Sequence, residues 1–202
     1  MGAHGVFDLE KHFAFYGAYH SNKVNILIHT LFVWPIFFSA ILLLNFTPSF
    51  FNLPLINLSL FGFDFFLIIN FGLLITLIYS LFYVFLDVKA GSLAALLCLL
   101  CWVFSSLLAQ LLGFSLAWKV VLVVQLVCWT GQFIGHGVFE KRAPALLDNL
   151  LQAFLLAPFF VLLEALQNCF SYEPYRGFHH TVKAKIEADI NEWQNKKQNL
   201  LS

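Results

Sequence analysis

The chain has 202 residues, of which 60% are hydrophobic, 18% aromatic and only 11% charged, with 11 basic side chains balancing 11 acidic ones. Such a composition excludes an ordinary soluble domain, and the zero balance excludes a basic surface for nucleic acid. The expected class is all-α, a polytopic membrane helix bundle.

Residues 1–23 carry Asp8, Glu10, Lys11 and three histidines, so no cleavable leader with a basic start and an apolar run is expected. Val6 stands where a myristoylation signal needs Ser or Thr. Asp8 to His20 predicts a short amphipathic helix, with Phe7, Leu9, Phe13, Phe15, Tyr16 and Tyr19 on one side and Asp8, Glu10, Lys11 and His12 on the other. Ser21-Asn22-Lys23 breaks it. The break matters because nine residues of unbroken helix would set His20 and His29 on opposite faces, whereas a turn capped by Asn22 or Asn25 lets both face one point.

Ile26 to Leu44 is a first apolar span with a kink at Trp34-Pro35. Asn45 to Asp64, which holds Pro48 and Pro54, reads as a loop or interfacial hairpin, and Phe65 to Leu86 as a second span. Asp87 to Gly91 is expected as a tight polar turn, followed by spans at Ser92 to Leu112 and Ser115 to Ile134, divided near Gly113. A fifth run, Leu150 to Leu166, contains Pro158 and Glu164 and either crosses or re-enters. Beyond Ser171 the composition changes to a loop and then a mixed-charge surface helix, Lys183 to Trp193. The expected architecture is four or five spans with an N-terminal amphipathic helix and a C-terminal surface helix. Residues 1–170 form the membrane-embedded catalytic bundle and 171–202 a charged tail. Cys98, Cys101 and Cys128 lie inside spans and read as packing, with no disulfide framework.

The stretch Gly131 to Leu146 sets His136 between Gly135 and Gly137 at the end of an apolar span. Gln132, His136 and Glu140 are four apart, so on a helix they share a face. With a cytosolic amino terminus, four alternating spans place Lys11, Lys23, Lys89, Lys141 and Arg142 on the cytosolic side and only Lys119 opposite. The same arrangement brings His20 and His29, at the entrance of the first span, to the membrane face where His136 leaves the fourth. Imidazole ligates iron, zinc and copper, and His20, His29, His136 and Glu140 would hold a divalent ion with positions left for substrate. The plainer alternative is that each histidine hydrogen-bonds a neighbour at the interface. His4, His12, His179 and His180 are expected to be solvated. Glu164 is either functional or paired with a base, and Lys141 and Arg142 either bind an anionic head group or merely follow the charge rule for cytosolic loops.

Two longer patterns are specific. Tyr16-x-x-Tyr19-His20-x-Asn22-x-x-Asn25-x-x-Ile28-His29 and Gln132-Phe133-x-Gly135-His136-Gly137-x-Phe139-Glu140-Lys141-Arg142-x-Pro144-Ala145-Leu146 resemble the signatures of the 2-hydroxy fatty acid dioxygenase family, and Asp148-Asn149 continues the likeness. The Asn45 to Asp64 loop is longer than the fungal pattern, and His12 lies outside the motif. The resemblance implies an endoplasmic-reticulum membrane enzyme that uses Fe(II) and O2 to shorten a 2-hydroxy fatty acid by one carbon, in the α-oxidation of phytosphingosine-derived lipids. It further implies iron held by His20, His29 and His136, with Glu140 as a fourth ligand or as the acceptor that orients an imidazole. Gln132, Lys141 and Arg142 would then serve the substrate, the two cations offsetting its carboxylate. Read from the residues alone, a non-catalytic scaffold or lipid-binding protein, or a lipid enzyme using another metal, stays open. A desaturase would want clustered histidine boxes, and a transporter polar residues spread through its spans.

Overall fold

In a computed structural model the described residues are 5, 7–50, 56–60, 62–144, 150 and 152–201. Expectations that fall on His4, Val6, Pro54, Ala145-Leu146 and Asp148-Asn149 lie outside them. In chain order the elements are α1 (Leu9–Ala18), α2 (Lys23–Leu44), β1 (Ile56–Leu60), β2 (Phe63–Leu67), α3 (Phe71–Leu86), α4 (Val88–Ile134), a π-helical turn at Gly135–Glu140, a second at Gln152–Leu156, α5 (Ala157–Phe170) and α6 (Phe178–Leu201). The chain forms two compact units, residues 1–30 with 132–202, and residues 31–131.

In the first unit, Asp8 starts α1 by accepting the Lys11 N–H at 3.0 Å. Asn22 does the same for the start of α2, taking the Val24 N–H at 2.9 Å. Asn25 lies inside α2 and does not cap its start. Pro158 does not interrupt α5: it sits in the first turn, where its missing N–H leaves no helical bond unmade. The C-terminal helix starts at Phe178 and runs for 24 residues, longer than the Lys183 to Trp193 core that the charge pattern marks. Its first residue docks on α1, with the Phe178 ring 5.8 Å from Phe13, and Phe160 of α5 meets the Phe13 ring at 5.4 Å. Ion pairing of Lys185 with Glu10, and a hydrogen bond from Tyr175 to Glu10, close the α1–α6 contact.

In the second unit, the expected Phe65 to Leu86 span divides. Residues 56–60 and 63–67 pair as an antiparallel hairpin from Ile56↔Leu67 to Leu60↔Phe63, and Asn70 caps a helix of 16 residues. Ile56-Asn-Leu-Ser-Leu60 alternates apolar and polar with the period of a strand, which fits the hairpin alternative offered for Asn45 to Asp64. Gln110 satisfies the hairpin's free edge, accepting from the Phe66 N–H and donating to the Phe66 carbonyl, both at 3.0 Å. The polar turn expected over Asp87 to Gly91 shrinks to Asp87, because its carboxylate accepts the Ala90 N–H at 2.6 Å and α4 begins at Val88. Within α4 the helix breaks at Gly113, with φ 64° and ψ 164°, which only glycine adopts readily, so the two expected segments are present.

Among the described residues, two helical stretches are long and apolar enough to cross a membrane, Lys23–Leu44 and Val88–Glu140, the second broken at Gly113. The 16 residues of α3 and 14 of α5 fall short of the ~20 that a hydrocarbon core requires. Leu31, Leu81 and Phe85 are 58%, 59% and 71% exposed on these helices, an arrangement suited to lipid.

Several polar side chains in the second unit bond to one another or to backbone carbonyls. Asn45 donates to Ser105 Oγ at 2.8 Å and accepts from Ser106 at 3.0 Å, and Gln125 donates to the Ile36 carbonyl and Ser39 Oγ. Bonds of this kind between apolar helices contribute about 0.6–2 kcal/mol each. Asn45→Ala therefore lowers stability by about 1–3 kcal/mol, measured as the unfolding midpoint of the purified protein in detergent; an unchanged midpoint would contradict this role.

Candidate metal centre

The junction between α1 and α2 builds the centre. A helix leaves its last carbonyls and its first N–H groups without intrahelical partners, and all must be satisfied if they are buried. At the end of α1, the Tyr16 carbonyl accepts from His20 Nδ1 at 2.7 Å, the Ala18 carbonyl from Arg142 Nη1 at 2.8 Å, and the Tyr19 carbonyl from Asn25 Nδ2 at 3.2 Å. At the start of α2, the Glu140 carboxylate accepts from the Ser21 and Asn22 N–H groups, both at 3.0 Å, from Ser21 Oγ, and from Asn25 Nδ2 at 3.1 Å. A negative group at a helix N-terminus also opposes the helix dipole favourably.

His20, His29 and His136 face one another behind this elbow. Their ring centroids are 4.2, 4.9 and 4.8 Å apart, with the planes crossed at 72–82°. All three are buried, at 7%, 6% and 3% exposure. Their potential ligand nitrogens lie within 4.8 Å of one another, so some point is within about 2.8 Å of all three, against a metal–imidazole bond of about 2.0–2.1 Å. Side-chain shifts of less than about 1 Å would close the gap.

The tautomers are also fixed. A carbonyl only accepts, so the bond from His20 Nδ1 to Tyr16, and that from His29 Nδ1 to the Asn25 carbonyl at 2.9 Å, place the proton on Nδ1 in both rings. Nε2 of each is left with a lone pair. His20 Nε2 is buried with no partner, and so is His136 Nδ1. Burial, and then the neighbouring imidazoles, hold His20 well below the usual histidine range and keep it neutral. Buried lone pairs without donors cost free energy, and a cation bound by nitrogen ligands would satisfy them.

The other expected site residues lie around this triad. Glu140 has its oxygens on Ser21, Asn22 and Asn25. Arg142 bonds Ala18 and Asp189 and stacks 3.7 Å from the Tyr19 ring centroid, which ties α6 to the end of α1. Lys141 is exposed and left-handed, with φ 57°, where the π-helical turn ends. Gln132 is buried and its Nε2 has no partner.

Asn25 has a larger part than the sequence reading gives it. Fully buried, it joins Tyr19, Glu140 and His29, and it packs so closely on Gly135 that a Cβ there would lie 2.3 Å from its Oδ1. The available signal was spacing, because Tyr16 and Asn25 each precede by four the histidine whose Nδ1 their carbonyl holds.

A family model described as 2-hydroxy-palmitic acid dioxygenase Mpo1-like matches residues 6–169. A Saccharomyces cerevisiae protein named 2-hydroxy-palmitic acid dioxygenase MPO1 is 34% identical over 188 residues, covering 92% of this chain and 91% of that protein. No solved structure matches.

Gly135→Ala pushes Asn25 off Glu140 and Tyr19, costing about 1–3 kcal/mol, whereas Gly137→Ala, with nothing within 4 Å of its new methyl, is tolerated. Thermal unfolding and metal titration of the two variants check this, and equal behaviour would show that the Asn25 contact does not matter.

Proposed function

The chain belongs to the Mpo1-like family of 2-hydroxy-palmitic acid dioxygenases, and from that membership we propose that it is a membrane-embedded, Fe(II)-dependent dioxygenase. Its substrates are 2-hydroxy fatty acids, which it shortens by one carbon with loss of the carboxyl carbon. The observation that carries this reading is the buried histidine triad with its stranded nitrogen lone pairs. His20, His29 and His136 would hold the iron, a nitrogen set that leaves positions open for other ligands. Bound Fe(II) supplies the redox chemistry with O2 and a positive centre for the substrate's carboxylate and 2-hydroxyl.

The chain's own residues orient and select. Tyr16 and Asn25 hold two imidazoles in one tautomer through their carbonyls. Glu140 keeps the junction between α1 and α2 in place through its bonds to Ser21, Asn22 and Asn25, and so acts on His20 and His29 at one remove. Gln132, one turn before His136, offers its unpartnered amide N–H as a donor to the carboxylate or the 2-hydroxyl. Lys141 supplies positive charge nearby, while Arg142 spends part of its charge on Asp189. Apolar helices accommodate the acyl chain, and the compartment is the endoplasmic-reticulum membrane, with the centre near the cytosolic face. The distribution of basic residues in the sequence supports the cytosolic side.

Purified protein is expected to contain iron and to consume O2 with 2-hydroxypalmitate, and to form no product without O2. In His136→Ala the iron is lost and turnover falls by about 100-fold or more. Wild-type iron content and rate in that variant would overturn the assignment.

A further inference from the structure

Glu164 is a half-buried ionisable group for which the centre described above has no use. It lies on α5 among apolar neighbours, and a carboxylate so placed needs a partner. That partner is Tyr16, whose hydroxyl donates to Glu164 Oε2 at 3.1 Å across 148 residues of sequence.

Tyr16 controls His20 in two ways. Its carbonyl takes the Nδ1 proton at 2.7 Å, and its ring lies over the imidazole at 4.0 Å between centroids and 18° between planes. Phe13 and Phe160 pack on the tyrosine ring at 5.9 and 5.3 Å. Packing alone would be served by phenylalanine. The hydroxyl adds a fixed point at the far end of the ring, and Glu164 is what it is fixed to. A phenol donating to a carboxylate also presents a more electron-rich face, which favours an imidazole that gains positive character on ligating a cation.

We propose that Glu164 is a positioning residue for the histidine centre, acting through the Tyr16 hydroxyl on the plane and basicity of His20. The proposal rests on the reading of His20, His29 and His136 as a metal site. It assigns α5 a part in that site although α5 contributes no ligand.

The test uses Co(II) as the probe, with the full-length protein in detergent, affinity read by chelator competition and geometry by the visible ligand-field bands. Tyr16→Phe and Glu164→Leu are each expected to weaken Co(II) binding about tenfold or more and to shift the bands. The double variant is expected to be no weaker than the worse single one, because both substitutions remove the same bond. Glu164→Gln, which still accepts from the phenol, stays within about threefold of wild type. Tyr16→Phe removes one oxygen and keeps the ring, so it reports even if Glu164→Leu fails to fold. Wild-type affinity and bands in Tyr16→Phe, or losses that simply add in the double variant, would overturn the proposal alone. A wild-type protein that binds no Co(II) would overturn the metal site with it.

Discussion

The unpaired backbone groups where α1 gives way to α2 are the constraint that organises the first unit. Within a few residues the chain exposes the last carbonyls of one helix and the first N–H groups of the next, and these need partners once they are buried. The partners come from far along the sequence: Glu140 for the N–H groups, Arg142 and Asn25 for the carbonyls. Satisfying them draws the end of the long apolar stretch to the junction. His136, which precedes Glu140 by one turn, arrives beside His20 and His29 as a consequence.

Seen this way, the site's polar residues divide by the work they do. Three imidazoles turn nitrogens toward one another, and Tyr16, Asn25, Glu140 and Arg142 around them hold backbone and tautomer. Asn25 is central because one side chain and one carbonyl serve three elements at once, and Gly135 is the residue that makes room for it. The cost of burying so much polarity is offset by the hydrogen bonds made there, and two of them also fix the direction of an imidazole.

Much of this was legible in the sequence, for physical reasons that can be named. His20, Asn22, Asn25 and His29 fall on both sides of a helix break, and Gln132, His136 and Glu140 on one helical face, and the bias of basic residues put both stretches at one membrane face, so periodicity and charge together suggested that distant histidines meet. Glu140 and Arg142 are different: the resemblance and their charge pointed to the ion and the substrate, and spacing gives no hint that they also bond Ser21, Asn22 and Ala18. In the sequence the 56–67 hairpin stands only as the alternative to a loop, and its second strand reads into the following span because Phe65-Phe66-Leu67 continues an apolar run. Tyr16 and Glu164 are 148 residues apart, and no local pattern links them.

X-ray absorption at the metal edge of the purified, iron-loaded protein tests the central claim most directly. The account predicts three imidazole ligands, seen as histidine multiple scattering with first-shell nitrogen at about 2.0–2.2 Å, and the loss of one imidazole in each of the His20, His29 and His136 alanine variants. A metal with no imidazole scattering, or one whose ligand shell is unchanged in all three variants, would contradict it.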